Sequence, residues 1–186
     1  MTDLEQPPHA VARQLIGAVL TFEGVGGLVV ETEAYDVDDP ASHSFSGRTP
    51  RNAPMFGPAG RAYVYRSYGL HWCLNIVCGP RPGGAVLFRA LEPTLGLERM
   101  IARRGLGDPR RLAAGPGRLC QALGVDAAQN GACMTLPPFR LEPPSTAMAV
   151  IQGPRIGITK AVDKPWRFGL RGSRFLSRPF GPIADG

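Results

Sequence analysis

The chain has 186 residues and a formal net charge of +6, the size of one ordinary domain. Its 24 Gly and 19 Pro bring it close to the content at which low-complexity disorder is the default. However, 44% of the residues are hydrophobic, so it should fold with many turns, and a helix bundle is excluded. No apolar run approaches the roughly 18 residues of a membrane span. Met1–Arg13 carries Asp3, Glu5, Pro7 and Pro8 and does not read as a signal peptide.

In chain order, Ala10–Ile16 predicts a short helix, with Val11 and Leu15 one turn apart and Gly17 as a stop. Ala18–Phe22 predicts a strand and Glu23–Gly27 a turn. Gly27–Tyr35 predicts the hairpin partner. Asp36–Gly60 is poor in apolar residues and predicts a long loop of the functional kind. Arg61–Ser67 and His71–Cys78 predict two strands around Tyr68-Gly69-Leu70. Gly79–Gly84 is a turn, and Ala85–Leu91 is a further strand. Pro93–Arg104 and Arg118–Leu123 predict helices. Asp126–Ser145 is loop-like. Ala147–Ile158 and Trp166–Arg171 read as closing strands. The class is α+β: one mixed domain over residues 1–186, with a mainly antiparallel curved sheet, a protruding β-hairpin and flanking helices.

Charge is distributed unevenly. Residues 1–93 hold seven Lys and Arg against nine Asp and Glu, and residues 94–186 hold fourteen against six. Nineteen of the basic residues are Arg and only Lys160 and Lys164 are Lys. Arg suits bidentate phosphate contacts, although an Arg-rich coding bias has the same appearance. Cys73, Cys78, Cys120 and Cys133 include no C-x-x-C pair, so no zinc or iron–sulfur site is signalled and reduced, mostly buried thiols are expected.

Several residues stand out against these elements. On Gly27–Tyr35, strand alternation puts Glu31, Glu33 and Tyr35 on one face. Periodicity alone favours the plainer reading, a solvated face lined by two glutamates. Tyr63 and Tyr65 share a strand face, and Tyr68 falls at a hairpin tip, where an aromatic can wedge between bases. His43 lies in the long loop, followed by Arg48-Thr49-Pro50-Arg51-Asn52. Asn75 sits in an apolar strand and needs a partner or a ligand. Arg89, within Val86–Leu91, needs an anion, and Glu33 is the candidate.

Taken together, in this order, these strings resemble the alkyladenine (3-methyladenine) DNA glycosylase family. The matching residues are Val30-Glu31-Thr32-Glu33-Ala34-Tyr35, His43-Ser44, Thr49-Pro50-Arg51-Asn52, Tyr63-Val64-Tyr65, Tyr68-Gly69, Asn75-Ile76 and Leu87–Pro93. Gly115-Pro116, Arg155-Ile156-Gly157-Ile158 and Lys164-Pro165-Trp166-Arg167-Phe168 complete the match. The resemblance implies a monomeric enzyme that flips a damaged purine out of duplex DNA and hydrolyses its N-glycosidic bond, with no metal, no other cofactor and no lyase step. It assigns water activation to Glu33, and water holding to Arg89 and the backbone carbonyl of Ile156. It assigns the base pocket to Tyr35, His43, Tyr65 and Asn75, and the plugging of the duplex to Tyr68. Arg51, His71 and Gly117 are candidate DNA contacts, His71 standing where some relatives have Tyr. The short stretch before the first helix suggests a bacterial, cytoplasmic protein that meets the nucleoid through DNA. A non-catalytic nucleic-acid-binding module and a hydrolase of free nucleosides are the alternatives. Glu33, Arg89, Tyr35 and His43 together speak against the first, and Tyr68 at an exposed tip against the second.

Overall fold

Side-chain alternation on four neighbouring strands gives one curved sheet two chemically different faces. The computed structural model describes residues 2–181. Residue 1 and residues 182–186, the ends of the domain expected over 1–186, lie outside the described residues. The elements are α1 (Pro8–Gln14), β1 (Val19–Phe22), β2 (Val25–Tyr35), β3 (Ala62–Ser67), β4 (His71–Val77), β5 (Ala85–Leu95), α2 (Leu97–Arg104), α3 (Pro109–Leu112), α4 (Pro116–Leu123), β6 (Phe139–Glu142), β7 (Val150–Gly153) and β8 (Arg167–Leu170). The strand order is β3-β4-β5-β2-β1-β6; β8 also pairs with β2, and β7 with β8. Every pairing is antiparallel, as expected for an α+β domain.

One face of the sheet is apolar. Val64, Leu74, Ile76, Val86 and Phe88 join Val11 of α1, Met100 of α2 and Leu119 and Leu123 of α4 in the main core. Thr32 is tolerated there because its hydroxyl donates to the Ala12 carbonyl at 2.9 Å. The residues between them point the other way. Tyr63, Tyr65, Cys73, Asn75, Leu87, Arg89, Glu33 and Tyr35 all line a cavity on the opposite face. A smaller apolar cluster of Met55, Tyr63, Val77 and Ala85 lies beside it.

The β2–β5 ladder runs from Thr32↔Phe88 to Glu31↔Ala90 and skips Arg89. Arg89 is therefore the extra residue of a β-bulge, a device that re-aims a side chain. Its carbonyl accepts from Gly115 N–H at 2.9 Å, which ties the bulge to the start of α4.

Three expectations need correction. The helix expected over Pro93–Arg104 starts at Leu97, because β5 continues to Leu95 by pairing with Gly26 and Gly27. The loop-like stretch Asp126–Ser145 contains β6, a strand of four residues paired with β1, too short for alternation to register. The closing strands are likewise reduced to Val150–Gly153 and Arg167–Leu170. The long loop after β2 is ordered by its polar side chains. Asn52 Nδ2 donates to the carbonyls of His43 (2.8 Å) and Gly47 (3.0 Å), and the Ser44 hydroxyl donates to the Gly83 carbonyl at 2.6 Å. All four cysteines are free thiols, and three of them are buried.

Candidate active site

Glu31 and Glu33 do not line a solvated face: both are 0% exposed. A buried carboxylate needs donors, and both have them. Glu33 Oε1 accepts the Ile156 N–H at 2.7 Å. Its Oε2 accepts the Tyr35 hydroxyl at 2.9 Å and Arg89 Nη1 at 3.2 Å. Glu31 Oε1 accepts Arg89 Nε at 3.0 Å, Arg167 Nε at 2.8 Å and the Ser177 hydroxyl at 2.8 Å, and Oε2 accepts the Ser177 N–H at 2.5 Å. Arg89 thus bridges the two glutamates, and two arginines balance two carboxylates. The expectation that Arg89 has Glu33 as its anion holds, with Glu31 as a second partner. The group of Ile156 that meets Glu33 is its N–H, whereas the resemblance pointed to the carbonyl.

Burial raises the Glu33 pKa above the ordinary carboxylate value; Arg89, the Ile156 N–H and the Tyr35 hydroxyl pull the other way without cancelling it. A carboxylate moved toward neutrality is better matched to proton abstraction near pH 7. Burial, and then the neighbouring Glu33 charge, push Tyr35 far up, so its hydroxyl keeps its proton and donates it to Glu33.

The cavity above Glu33 holds about 200 Å³, below the roughly 300–1,000 Å³ of drug-sized pockets and on the scale of one heterocyclic base. Tyr35, His43, Tyr65, Asn75, Tyr68 and Ile156 all line it, with Glu33 and Arg89. Tyr65 stacks on Tyr63 at 5.4 Å between ring centroids and meets the His43 edge at 4.5 Å. His43 Nδ1 lies 3.0 Å from the Tyr63 hydroxyl. Desolvation, then the Arg51 charge, lower the His43 pKa, so the ring is neutral at pH 7; burial pushes Tyr63 up to about 12. A neutral ring accepting at Nδ1 from Tyr63 carries its proton on Nε2. Asn75 is oriented by donating from Nδ2 to the Tyr63 carbonyl at 2.9 Å, so its amide is fixed at the pocket wall.

At the cavity's rim, Tyr68 is 87% and Leu70 70% exposed. The turn closes through Leu70 N–H to the Ser67 carbonyl at 2.9 Å, with Tyr68 at φ 49° and Gly69 at φ 68°. Left-handed backbone disfavours a bulky residue by about 1 kcal/mol, and an exposed tyrosine held there gains no packing in return. Such strain is often stored at functional sites.

Arg51, His71 and Gly117 are outside the lining. Arg51 is exposed, donates to the Arg66 carbonyl at 3.1 Å and is close enough for its charge to act on His43 and Tyr63. Gly117 packs on His71: a Cβ there would stand 2.7 Å from the His71 Cβ, so glycine is required for α4 to approach the hairpin. Among the described residues no group of three His, Cys, Asp or Glu is placed to hold a metal ion, and no helix is long and apolar enough to cross a membrane.

Sequence reasoning placed Tyr63, Arg155 and Arg167 in the matched strings but gave them no role in the site, and it did not single out Ser177. Arg155 is buried, pairs with Asp39, and lies over the Tyr35 ring at 4.8 Å and the Trp166 ring at 5.4 Å. The argument that found Arg89, a cation inside an apolar strand, applies unchanged to Arg167 between Trp166 and Phe168.

The curved antiparallel sheet thus carries a buried, arginine-braced carboxylate beneath an aromatic cavity. The comparison with known proteins is specific. Residues 2–174 match the family described as methylpurine-DNA glycosylase (MPG), and the chain belongs to that family. It is 63% identical over 171 residues to a protein of Nitrosospira multiformis, covering 91% of this chain and 89% of that one. It is 60% identical over 173 residues to one of Rhodopseudomonas palustris, covering 92% and 84%. It is 56% identical over 172 residues to one of Agrobacterium fabrum, covering 92% and 88%. Each of the three is named "Putative 3-methyladenine DNA glycosylase".

Proposed function

We propose that this protein is a monofunctional glycosylase that takes 3-methyladenine and related alkylated purines from duplex DNA. The lesion flips into the cavity, between Tyr35 and the Tyr65–His43 pair, while Tyr68 fills the space it leaves. Damaged bases resist this least, since flipping costs a few kcal/mol and weak pairing lowers it. Glu33 takes a proton from a water, whose oxygen bonds to the sugar C1′. The C1′–N bond breaks, and its electron pair neutralises the positive charge of the alkylated base as it leaves. One carboxylate suffices for this, because the cationic leaving group needs little acid assistance and the transition state is oxocarbenium-like. Stacking on tyrosine faces favours a cationic ring.

The observation that carries the reading is Glu33, wholly buried at the foot of an aromatic cavity and braced by Arg89, Tyr35 and the Ile156 N–H. A binder without catalysis has no use for a desolvated, elevated carboxylate there. Arg110, Arg111 and Arg118 are exposed on α3 and α4, next to Pro116 in the cavity lining. They supply positive surface for the DNA backbone. The enzyme acts as a monomer, and the site meets DNA in the nucleoid.

The test is incubation with duplex DNA holding one 3-methyladenine, in excess chelator, followed by chromatography of released base. Free 3-methyladenine and an uncut abasic strand are expected. No free base, or a protein–DNA adduct trapped by borohydride, would overturn the reading; the only side-chain amines, Lys160 and Lys164, lie outside the cavity lining.

A further inference from the structure

The segment after β8 returns to the back of the site. Arg167 Nη2 donates to the Arg178 carbonyl at 2.5 Å, and its guanidinium lies 3.9 Å over the Phe180 ring. Phe180 in turn rests on β8, where a Cβ at Gly169 would stand 2.5 Å from its ring. The segment is therefore docked by contacts of its own. From that anchorage Ser177 reaches the glutamates. Its N–H and hydroxyl both donate to Glu31, at 2.5 and 2.8 Å, and its hydroxyl oxygen accepts Arg89 Nη2 at 3.4 Å. Arg89 is left with Nε on Glu31 and Nη1 on Glu33.

We propose that Ser177 and Glu31 are positioning residues for Arg89, so that the docked C-terminal segment sets how the guanidinium meets Glu33. The argument is one of donor supply. Glu31 is a competitor for Arg89, being buried and close to the same guanidinium. Ser177 satisfies Glu31 with two further donors and gives Nη2 an acceptor, which leaves Nη1 aimed at Glu33. Removing the hydroxyl strips Glu31 of one donor and Nη2 of its acceptor. Arg89 then turns toward Glu31, and Glu33 loses part of the cation that favours its ionised form. A hydroxyl that both donates and accepts is needed, which threonine can replace and alanine cannot.

The consequence for rate rests on Glu33 acting as the base, so the primary readout does not use activity. The carboxyl carbon of Glu33 is followed by 13C NMR across a pH series in the full chain, and is assigned by its disappearance in Glu33→Gln. The charged and titratable side chains facing it are Arg89, Glu31, Tyr35, Tyr65 and Cys73, none of which the Ser177 variants change. In Ser177→Ala the midpoint should rise by about half to one pH unit, and Ser177→Thr should retain the wild-type midpoint. Base release should then fall about threefold to tenfold on the acid limb and recover on the alkaline plateau. An unmoved midpoint in Ser177→Ala, or an equal shift in Ser177→Thr, overturns the proposal. A moved midpoint without base release from any form, wild type included, upholds the positioning and overturns the glycosylase reading instead. A uniform loss at every pH marks Ser177 as merely structural and also overturns the proposal.

Discussion

Replacing Glu33 by glutamine removes the proposed base while nearly preserving its shape. The carbonyl oxygen of the introduced amide can still accept the Ile156 N–H in place of Oε1. The amide nitrogen would then face the Tyr35 hydroxyl and Arg89 Nη1, both of which donate to the carboxylate now. The hydroxyl can rotate to accept, and Arg89 keeps Glu31 through Nε. The rest of the cavity wall is unchanged, so lesion DNA should bind within about threefold of wild type. A positioned general base contributes typically 10²–10⁴ in rate, equivalent to roughly 3–5 kcal/mol of barrier. Single-turnover release of 3-methyladenine from duplex should therefore fall at least about a hundredfold. The wild-type rate should also decline as pH drops through the Glu33 pKa, at a pH above the ordinary carboxylate range, because burial raises that pKa. A Glu33→Gln variant that releases base within about threefold of wild type, with the same acid limb, would refute the assignment.

Tyr68→Ala should slow excision from duplex at least about tenfold more than excision from single strands, with little change in salt slope because no phosphate contact is lost; equal losses on both substrates would put Tyr68 outside the DNA interface. Asn75→Ala should raise release of normal guanine relative to 3-methyladenine, since the amide fixed on the Tyr63 carbonyl would oppose the exocyclic C2 amine; chromatography of undamaged duplex incubated with each form checks this, and an unchanged ratio would make Asn75 structural. Asp39→Ala leaves Arg155 buried and unpaired beside Tyr35, and should destabilise the fold by about 3–5 kcal/mol, read by urea denaturation.

How far the sequence revealed these features depends on the range of the interaction. Alternation within a strand is local, so Glu33 with Tyr35, and Tyr63 with Tyr65, were legible as shared faces. Arg89 was legible because a charge inside an apolar run demands an anion. The bulge that aims it was not, because it depends on the registry of β2 against β5. The pairings of Ser177 and Arg155 were invisible for the same reason: they reach Glu31 and Asp39 across 146 and 116 residues, and no local pattern encodes them. The loop around His43 read correctly as a loop, but its order comes from Asn52 and Ser44 binding distant or non-periodic carbonyls. β6 was lost because four residues, two of them charged, carry no period. The fold class and the shared strand faces therefore came from short-range chemistry, whereas alternation alone pointed the Glu31–Glu33 face toward solvent; its burial, and every brace of the two carboxylates beyond Arg89 on Glu33, came from the tertiary structure.

The bracing has a thermodynamic signature that activity does not report. Glu31, Glu33, Arg89 and Arg167 form a buried cluster with two charges of each sign. Burying such groups is offset only when every lone pair finds a donor, and apolar residues of equal volume are often at least as stable. Glu33 is incompletely compensated: its folded pKa lies above the unfolded value because desolvation outweighs Arg89 and the two hydrogen bonds. Between those two values the folded state binds more protons than the unfolded one. Its contribution to stability is therefore fully present below the unfolded pKa and is lost as pH rises through the folded one. Glutamine has no proton to release, so the stability difference between Glu33→Gln and wild type should grow in the variant's favour as pH rises across that window, and level off above it. Urea denaturation of both proteins over a pH series measures this. Parallel curves would mean that Glu33 titrates alike in the folded and unfolded chains, and that its burial imposes no strain on the ionised form.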